Sequence, residues 1–385
     1  MSARLPPRSA HIPPGPSKGG ERKLRLIAYA HERGGPASRF RVEQFVPHIE
    51  RAGWSVSLRT QDPARPSESP YRSAAVRWVH RRLRMRLRQI RRLRDIEAAS
   101  AHDVVLLNRD LLGGRAAYEE RLFRRNPRVV FDFDDAIFLG EKEAHIAGIC
   151  ARAAWVTAGN ERLAEFARRH TDRVSVLPTV VDTEAYVVRR EHERSERLRV
   201  GWLGSDRSIE ETLVPHLGML GRLGEEIGFD LVVVSKPRPD LPFASLPWEF
   251  VEWSPENESR IAERFDVGIM PLVDEPYQRG KCGCKLLQYM AAGLPTVASP
   301  VGINEELLAG GRGLLARSES EWRAALASLA ADASLRRSLG EAGRAFVERS
   351  YSLRAWAPVL EGILARVAGR EPALIEPEER DRRRA

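Results

Sequence analysis

The 385-residue chain holds only three cysteines, Cys150, Cys282 and Cys284. That is too few for a disulfide framework and leaves too few ligands for a zinc site. No run approaches 18 uncharged apolar residues, which excludes a transmembrane helix by sequence. The first 23 residues carry no apolar segment of the kind that directs secretion. These absences together lead us to expect a reducing, cytoplasmic setting. Lysine is scarce as well: of 62 basic side chains, only Lys18, Lys23, Lys142, Lys236, Lys281 and Lys285 are not arginine. Such a skew is a usual product of GC-rich coding sequence, so arginine abundance alone says little about function. The net charge of +9 still favours anionic partners: phosphates, nucleic acid or an anionic membrane surface.

What is present reads as a globular α/β protein. At 43% hydrophobic and 30% charged residues, the chain has room for two domains of ordinary size. Residues 1–22 are rich in Pro, Gly and Ser and are expected to form a disordered tail. Short apolar runs then alternate with helical patterns. The runs predict strands at 24–30, 54–58, 104–107, 129–131, 155–158 and 174–177. The rhythm restarts at 198–203, 231–235, 250–253, 267–271 and 296–298. Strands separated by helices imply βαβ units and parallel sheets. The expected architecture is α/β, with two Rossmann-like doubly wound domains facing a central cleft. The expected boundaries are an N-terminal domain at 23–181, a charged linker at 182–197 and a C-terminal domain at 198–352. A helix at 353–370 is expected to cross back to the N-terminal domain, followed by a charged tail at 371–385. In such sheets ligands sit beyond the carboxyl ends of the strands, so functional residues should follow strands directly.

The richest segment is DVGIMPLVDEPYQRGKCGCKLLQYMAAGLPTVASPVGINEELL, residues 266–308. It reads as a buried strand, a loop and a helix opening near Gly283, whose unpaired N–H groups would attract an anion. Lys281 and Lys285 stand at that end, one helical turn apart, and Gly280 and Gly283 permit close backbone approach. The reading is a pyrophosphate cradle; the bland alternative is two solvated surface lysines. VGWLGSDRS, residues 200–208, is a strand, a glycine turn and a helix start that would turn Gly204, Ser205 and Arg207 to the ligand. Ser208 and Glu211 match a capping box, predicting that the helix begins at Ser208. Arg207 is equally readable as a surface residue.

In the first half, Gly34 and Gly35 follow the first strand, although most such pairs are merely turns. Arg39 and Arg41 open the next helix and could hold a phosphorylated ligand. Asn108 and Arg109 stand just past another strand. Asp132, Asp134 and Asp135 (FDFDD) could carry a metal–diphosphate, serve as a phosphatase nucleophile, or be structural. The stretch 76–97 lines up Val76, Val79, Leu83, Leu87 and Ile90 at helical spacing beside a dense arginine face. It is either a scaffold helix with its stripe packed on the sheet, or an attachment to an anionic bilayer.

With these residues in view, the chain resembles the retaining GT-B glycosyltransferases of the family four (group 1) type. QYMAAGLPTVAS and VGINEE match that family's "EAMAxGxPVVAS" and "GGxxE" phrases. VGWLGSDRS, FDFDDAIF, VTAGNERLAEFA and LPTVVDTEAY fit in the expected order over residues 23–370. The resemblance implies sugar transfer with retention from a UDP- or GDP-linked donor to a glycan or lipid-linked acceptor, in cell-surface polysaccharide or glycolipid synthesis. It implies no further cofactor and no metal, with the lysines and the helix terminus neutralising the diphosphate. The donor-binding residues it implies are Gly204, Ser205, Arg207, Lys281, Gly283, Lys285, Gln288 and Glu305. Catalytic candidates are Asp134, Asp135 and Glu305, with Gly34, Gly35, Arg39, Arg41, Asn108 and Arg109 on the acceptor or phosphate side. The family's paired glutamates are replaced here by Gly280 and Gln288, so the donor sugar contact differs. Two rival classes are a degenerate GT-B binding protein without turnover and an arginine-rich nucleic-acid binder. The near absence of aromatic residues from the basic helix argues against nucleic acid. The expected location is cytoplasmic, on the inner face of the plasma membrane.

Overall fold

The structure is a computed structural model that describes residues 22–61, 73–112, 115–192, 197–236, 238–241 and 246–370. Of the expected tails at 1–22 and 371–385, all but Arg22 lies outside the described residues. The chain divides into two compact units. One runs to Pro178 and resumes at Trp356; the other is Thr179–Ala355.

The first unit is built on β1 (Arg25–Ala30), β2 (Ser55–Thr60), β3 (Val104–Asn108), β4 (Val129–Phe133), β5 (Trp155–Ala158) and β6 (Val174–Val176). All pair in parallel, in the order β2-β1-β3-β4-β5-β6. Strands β3 and β4 are buried along their whole length. That explains their continuous apolar runs, since a parallel sheet is covered on both faces. Two helices matter here: α1 (Pro36–Arg41) after β1, and the 25-residue α2 (Ala74–Ala98). The scaffold reading of α2 fails over most of its length. Val76, Val79, Leu83, Leu87 and Ile90 are 43–59% exposed, and the helix is buried only near its end, at Arg92 and Ile96.

The second unit contains β7 (Leu198–Leu203), β8 (Phe229–Ser235), β9 (Trp248–Glu252), β10 (Val267–Met270), β11 (Thr296–Ala298) and β12 (Leu314–Leu315). They too are parallel, ordered β12-β11-β10-β7-β8-β9. Renumbered from β7, this is the 3-2-1-4-5-6 order of a dinucleotide-binding sheet. Its core gathers Trp202, Leu213, Phe229, Leu231, Val267, Trp322 and Leu326. The relevant helices are α3 (Leu217–Ile227), α4 (Cys284–Ala291) and α5 (Asn304–Leu308). A last helix, α6 (Leu353–Val367), returns the chain to the first unit. There Glu361 accepts a hydrogen bond from Trp54, and Arg366 lies over the Trp155 ring.

Two sequence expectations need correction, and one strand was not foreseen. The helix expected from Ser208 instead starts at Asp206, because the Ser205 side chain accepts from the Ser208 N–H. It then passes through a wide turn at Ile209–Leu213 and a tight one at Val214–His216 before α3. Pro215 cannot donate to the helical ladder, which is reason enough for the break. The polar stretch taken for a linker is tied down up to His192. Val187 N–H donates to Ser259, Arg189 N–H to Ala292, and the Arg189 side chain pairs with Asp266. Residues 193–196 lie outside the described residues. Strand β12, only two residues long, carried no signal that could be read.

Candidate functional site

Strand order reverses between β7 and β10 in the second unit, and the carboxyl end of such a switch point is where doubly wound sheets bind ligands. The sequence places its chemistry there. The loop after β7 supplies Gly204 and Ser205, and the helix start supplies Asp206–Ser208. After β10 comes a short helix, Pro276–Arg279, then Lys281 and α4. The Tyr289 hydroxyl accepts from the Leu203 N–H and donates to the Ile269 carbonyl, locking α4 to both switch-point strands.

Lys285 donates to the Ser208 hydroxyl at 2.7 Å, and its ammonium stands 4.9 Å from the centre of the Trp202 ring. Lys281 lies 5.1 Å from the centre of the Tyr277 ring and 3.9 Å from Glu211. Arg207 covers the Tyr277 ring at 5.6 Å and donates to Glu211 at 2.6 Å. Arg207 and Lys281 thus meet at the Glu211 carboxylate, and Lys285 reaches Ser208 in the same helix start, so the three cations converge. Cations gathered beside a helix N-terminus make an anion site. Gly204 is needed for this closeness: a Cβ there would lie 2.4 Å from the Trp202 ring and 2.9 Å from Lys285 Cε. Gly283 caps α4 in the left-handed conformation (φ 67°) with no side-chain cap, and a Cβ would strike Leu307 of α5.

Other predicted donor residues lie differently. Gln288 is buried; its amide donates to the Tyr186 hydroxyl at 3.2 Å, and Tyr186 donates on to Glu258. Glu305 opens α5 with a side chain 60% exposed, 3.9 Å from Arg317. Ser208, Glu211, Tyr277 and Trp202 complete the cradle, and sequence reading had not assigned them to it. Serine, glutamate and aromatic residues are too common to stand out without the topology.

In the first unit the order reverses between β1 and β3, and the residues after these strands again collect charge. Arg41 must be reassigned. It is fully buried and forks onto Asp132, with Nη1 donating to the Leu177 carbonyl at 2.7 Å. Asn108 and Thr157 also donate to Asp132, at 2.9 and 2.7 Å. Arg41, Asn108 and Asp132 thus form an internal knot rather than a ligand surface. The Gly34 N–H is occupied by Glu43, and the Gly35 N–H by the Glu32 carbonyl. Arg39 is half-buried against Phe40.

Arg109 remains partly accessible. It adopts a left-handed backbone (φ 61°), uncommon for a non-glycine residue, and donates to both Asp134 and Asp135. Burial alone would raise the Asp134 carboxyl, but the Arg109 and Arg41 guanidiniums outweigh it and hold it below the usual carboxylate range. A carboxylate held ionised in this way is a weak proton acceptor, better suited to orienting a hydroxyl than to acting as general base. His31, Asp110 and Lys142 form a further charged set, built on the residue next to Arg109. Lys142 donates to Asp110 at 3.1 Å, and His31 lies 3.7 Å from it. Burial would raise the Asp110 carboxyl, yet the contact with the His31 side chain and the Lys142 ammonium hold it far below normal. Among the described residues no group of three or more His, Cys, Asp or Glu side chains is arranged to hold a metal ion.

Residues 217–332 match the family described as Glycosyl transferases group 1. No curated protein matches the chain. Solved structures share its fold over about nine-tenths of the chain. Sucrose-phosphate synthase from Thermosynechococcus elongatus is 17% identical, with 89% of this chain and 98% of that one covered at a TM-score of 0.66. Anabaena Alr3699/HepE, solved with UDP-glucose, is 13% identical over 90% and 99% at 0.58. WaaG, a glycosyltransferase involved in lipopolysaccharide biosynthesis, is 16% identical over 89% and 99% at 0.56. The fold is therefore the two-domain GT-B fold, and the segment that carries Tyr277, Lys281, Gly283 and Lys285 lies within the group 1 match.

Proposed function

We propose that this GT-B chain is a glycosyltransferase that moves a sugar, with retention, from a nucleoside-diphosphate donor to a glycan or lipid-linked acceptor. One observation carries the reading: Lys281, Lys285 and Arg207 converge on the loop after β7, at the switch point of a dinucleotide-type sheet. The group 1 match over 217–332 and the UDP-glucose seen on Alr3699/HepE support a nucleotide-sugar as the anion. WaaG, involved in lipopolysaccharide biosynthesis, supports a role in cell-surface glycan or glycolipid synthesis.

In this mechanism the cations and the α4 terminus stabilise charge growing on the leaving diphosphate. The acceptor oxygen attacks the anomeric carbon on the face the diphosphate leaves. The bond from that carbon to the phosphate oxygen breaks as the new glycosidic bond forms. The acceptor proton passes to the departing phosphate oxygen. Charge neutralisation comes from Lys281, Lys285 and Arg207, so we expect turnover to survive EDTA. Activity lost to EDTA and restored by manganese would return the divalent role to Asp134 and Asp135.

A panel of UDP-, GDP- and ADP-sugars tests the donor class by thermal shift. Donor at a hundred times its dissociation constant stabilises by about 2.7 kcal/mol, enough to read directly. No shift with any of the three would remove the reading.

Thiol chemistry gives an independent check. Burial pushes the Cys150 thiol up to about 12, so it should resist alkylation in the folded chain. Cys284 is half-buried at the first position of α4, between the two lysines. Alkylation should therefore fall on Cys284 before Cys150, and a saturating nucleoside diphosphate should slow it severalfold. An unchanged Cys284 rate in the presence of a nucleotide that stabilises the protein would place the ligand elsewhere.

A further inference from the structure

Helix α2 turns its apolar stripe away from its own domain, and we infer that it docks the protein on an anionic lipid surface. At about 100° per residue, Val76, Val79, Leu83, Leu87 and Ile90 fall within an arc of about 80°. Arg92 and Ile96, which bury the end of the helix in the first unit, lie on roughly the opposite side. The stripe is thus not an unfilled piece of core; all five residues are 43–59% exposed. It extends for about 21 Å along the helix. The end of α2 is held firmly. The Asp95 carbonyl accepts from the Tyr29 hydroxyl, and Glu97 pairs with Arg121 and Arg125.

The charge around the stripe selects the partner. From Ala74 to Arg94 the helix carries nine arginines and no acidic residue. Arg86 borders the stripe on one side and Arg77, Arg84 and Arg91 on the other. An apolar strip between cationic flanks is the pattern of a helix lying in the plane of a membrane interface, stripe in the acyl boundary and guanidiniums at anionic headgroups. A second copy of the chain fits poorly, because it would bring two such arginine arrays together. Nucleic acid would satisfy the arginines and leave the stripe unpartnered, and no aromatic residue lies on the stripe to stack with bases.

The inference stands apart from the donor reading and is tested on the full-length chain with vesicles. At about 0.1 M salt, the protein should sediment with phosphatidylcholine vesicles containing phosphatidylglycerol and not with phosphatidylcholine alone. The pair Leu83→Asp, Leu87→Asp and, separately, the pair Arg86→Glu, Arg91→Glu should each reduce the bound fraction at least about tenfold. Far-UV circular dichroism and the nucleotide-induced thermal shift should stay unchanged in both, which separates loss of docking from loss of fold or of donor binding. The inference is overturned if the wild type remains in the supernatant, or if both variants sediment as it does. It is equally overturned by tight duplex DNA binding that the leucine changes leave intact, or by a dimer that those changes dissolve without any vesicle binding.

Discussion

Changing both Lys281 and Lys285 to alanine is expected to weaken nucleoside-diphosphate binding by at least about a hundredfold, or about 2.8 kcal/mol. Each single change should cost about tenfold or more, near 1.4 kcal/mol, in affinity or turnover. The size follows from the contacts. Hydrogen bonds to charged groups contribute about 1.5–3 kcal/mol each, and both ammonium groups are already positioned over aromatic rings. Little side-chain entropy remains to be lost when an anion arrives. Lys236 supplies the control. It too follows a strand, but it is 64% exposed and pairs with Glu252 at 3.3 Å. Lys236→Ala should leave titration curves unchanged. Isothermal titration across the four variants decides the matter, and undiminished affinity in the double variant would refute the assignment of the cradle.

A second large effect is expected where sequence reading placed a ligand contact and the structure places a buried ion pair. Asp132→Ala should destabilise the first unit by about 3–5 kcal/mol, because it removes the carboxylate onto which the fully buried Arg41 guanidinium forks. Against a whole-domain stability of about 5–15 kcal/mol, that loss moves the unfolding midpoint substantially. Removing both charges, as in Asp132→Leu with Arg41→Met, should cost clearly less than Asp132→Ala alone, since the buried guanidinium goes together with its carboxylate. Urea unfolding followed by circular dichroism measures all three. An Asp132→Ala variant within about 0.5 kcal/mol of wild type would show that the knot carries no weight.

The two halves of this account were unequally legible. Strands β5, β7 and β11 were read to the residue, because each is a short apolar run bounded by turn or helix signals. Alternation also implied parallel sheets, yet strand order is a long-range fact. That order locates both switch points, and no local pattern carries it. Lys281 and Lys285 could be picked out because lysine is rare in this chain. Arg41 could not be sorted from Arg39 or Arg109. With 56 arginines, residue type loses its information, and only burial separates an internal ion pair from an accessible guanidinium. The Ser208–Glu211 box failed for a related reason. Ser205 stands one turn earlier with the same capping chemistry, and the structure uses it, freeing the Ser208 hydroxyl to accept from Lys285.

The most direct test of the central claim is release of free nucleoside diphosphate from UDP-, GDP- and ADP-sugars, followed by chromatography with the full-length protein and with its Lys285→Ala variant. Hydrolysis of the donor without acceptor already requires the cradle to hold and stabilise the leaving group. The account predicts release from one donor class by the wild type, reduced at least about tenfold in Lys285→Ala. Release at equal rates by both proteins, or no release and no binding with any of the three donors, would contradict it.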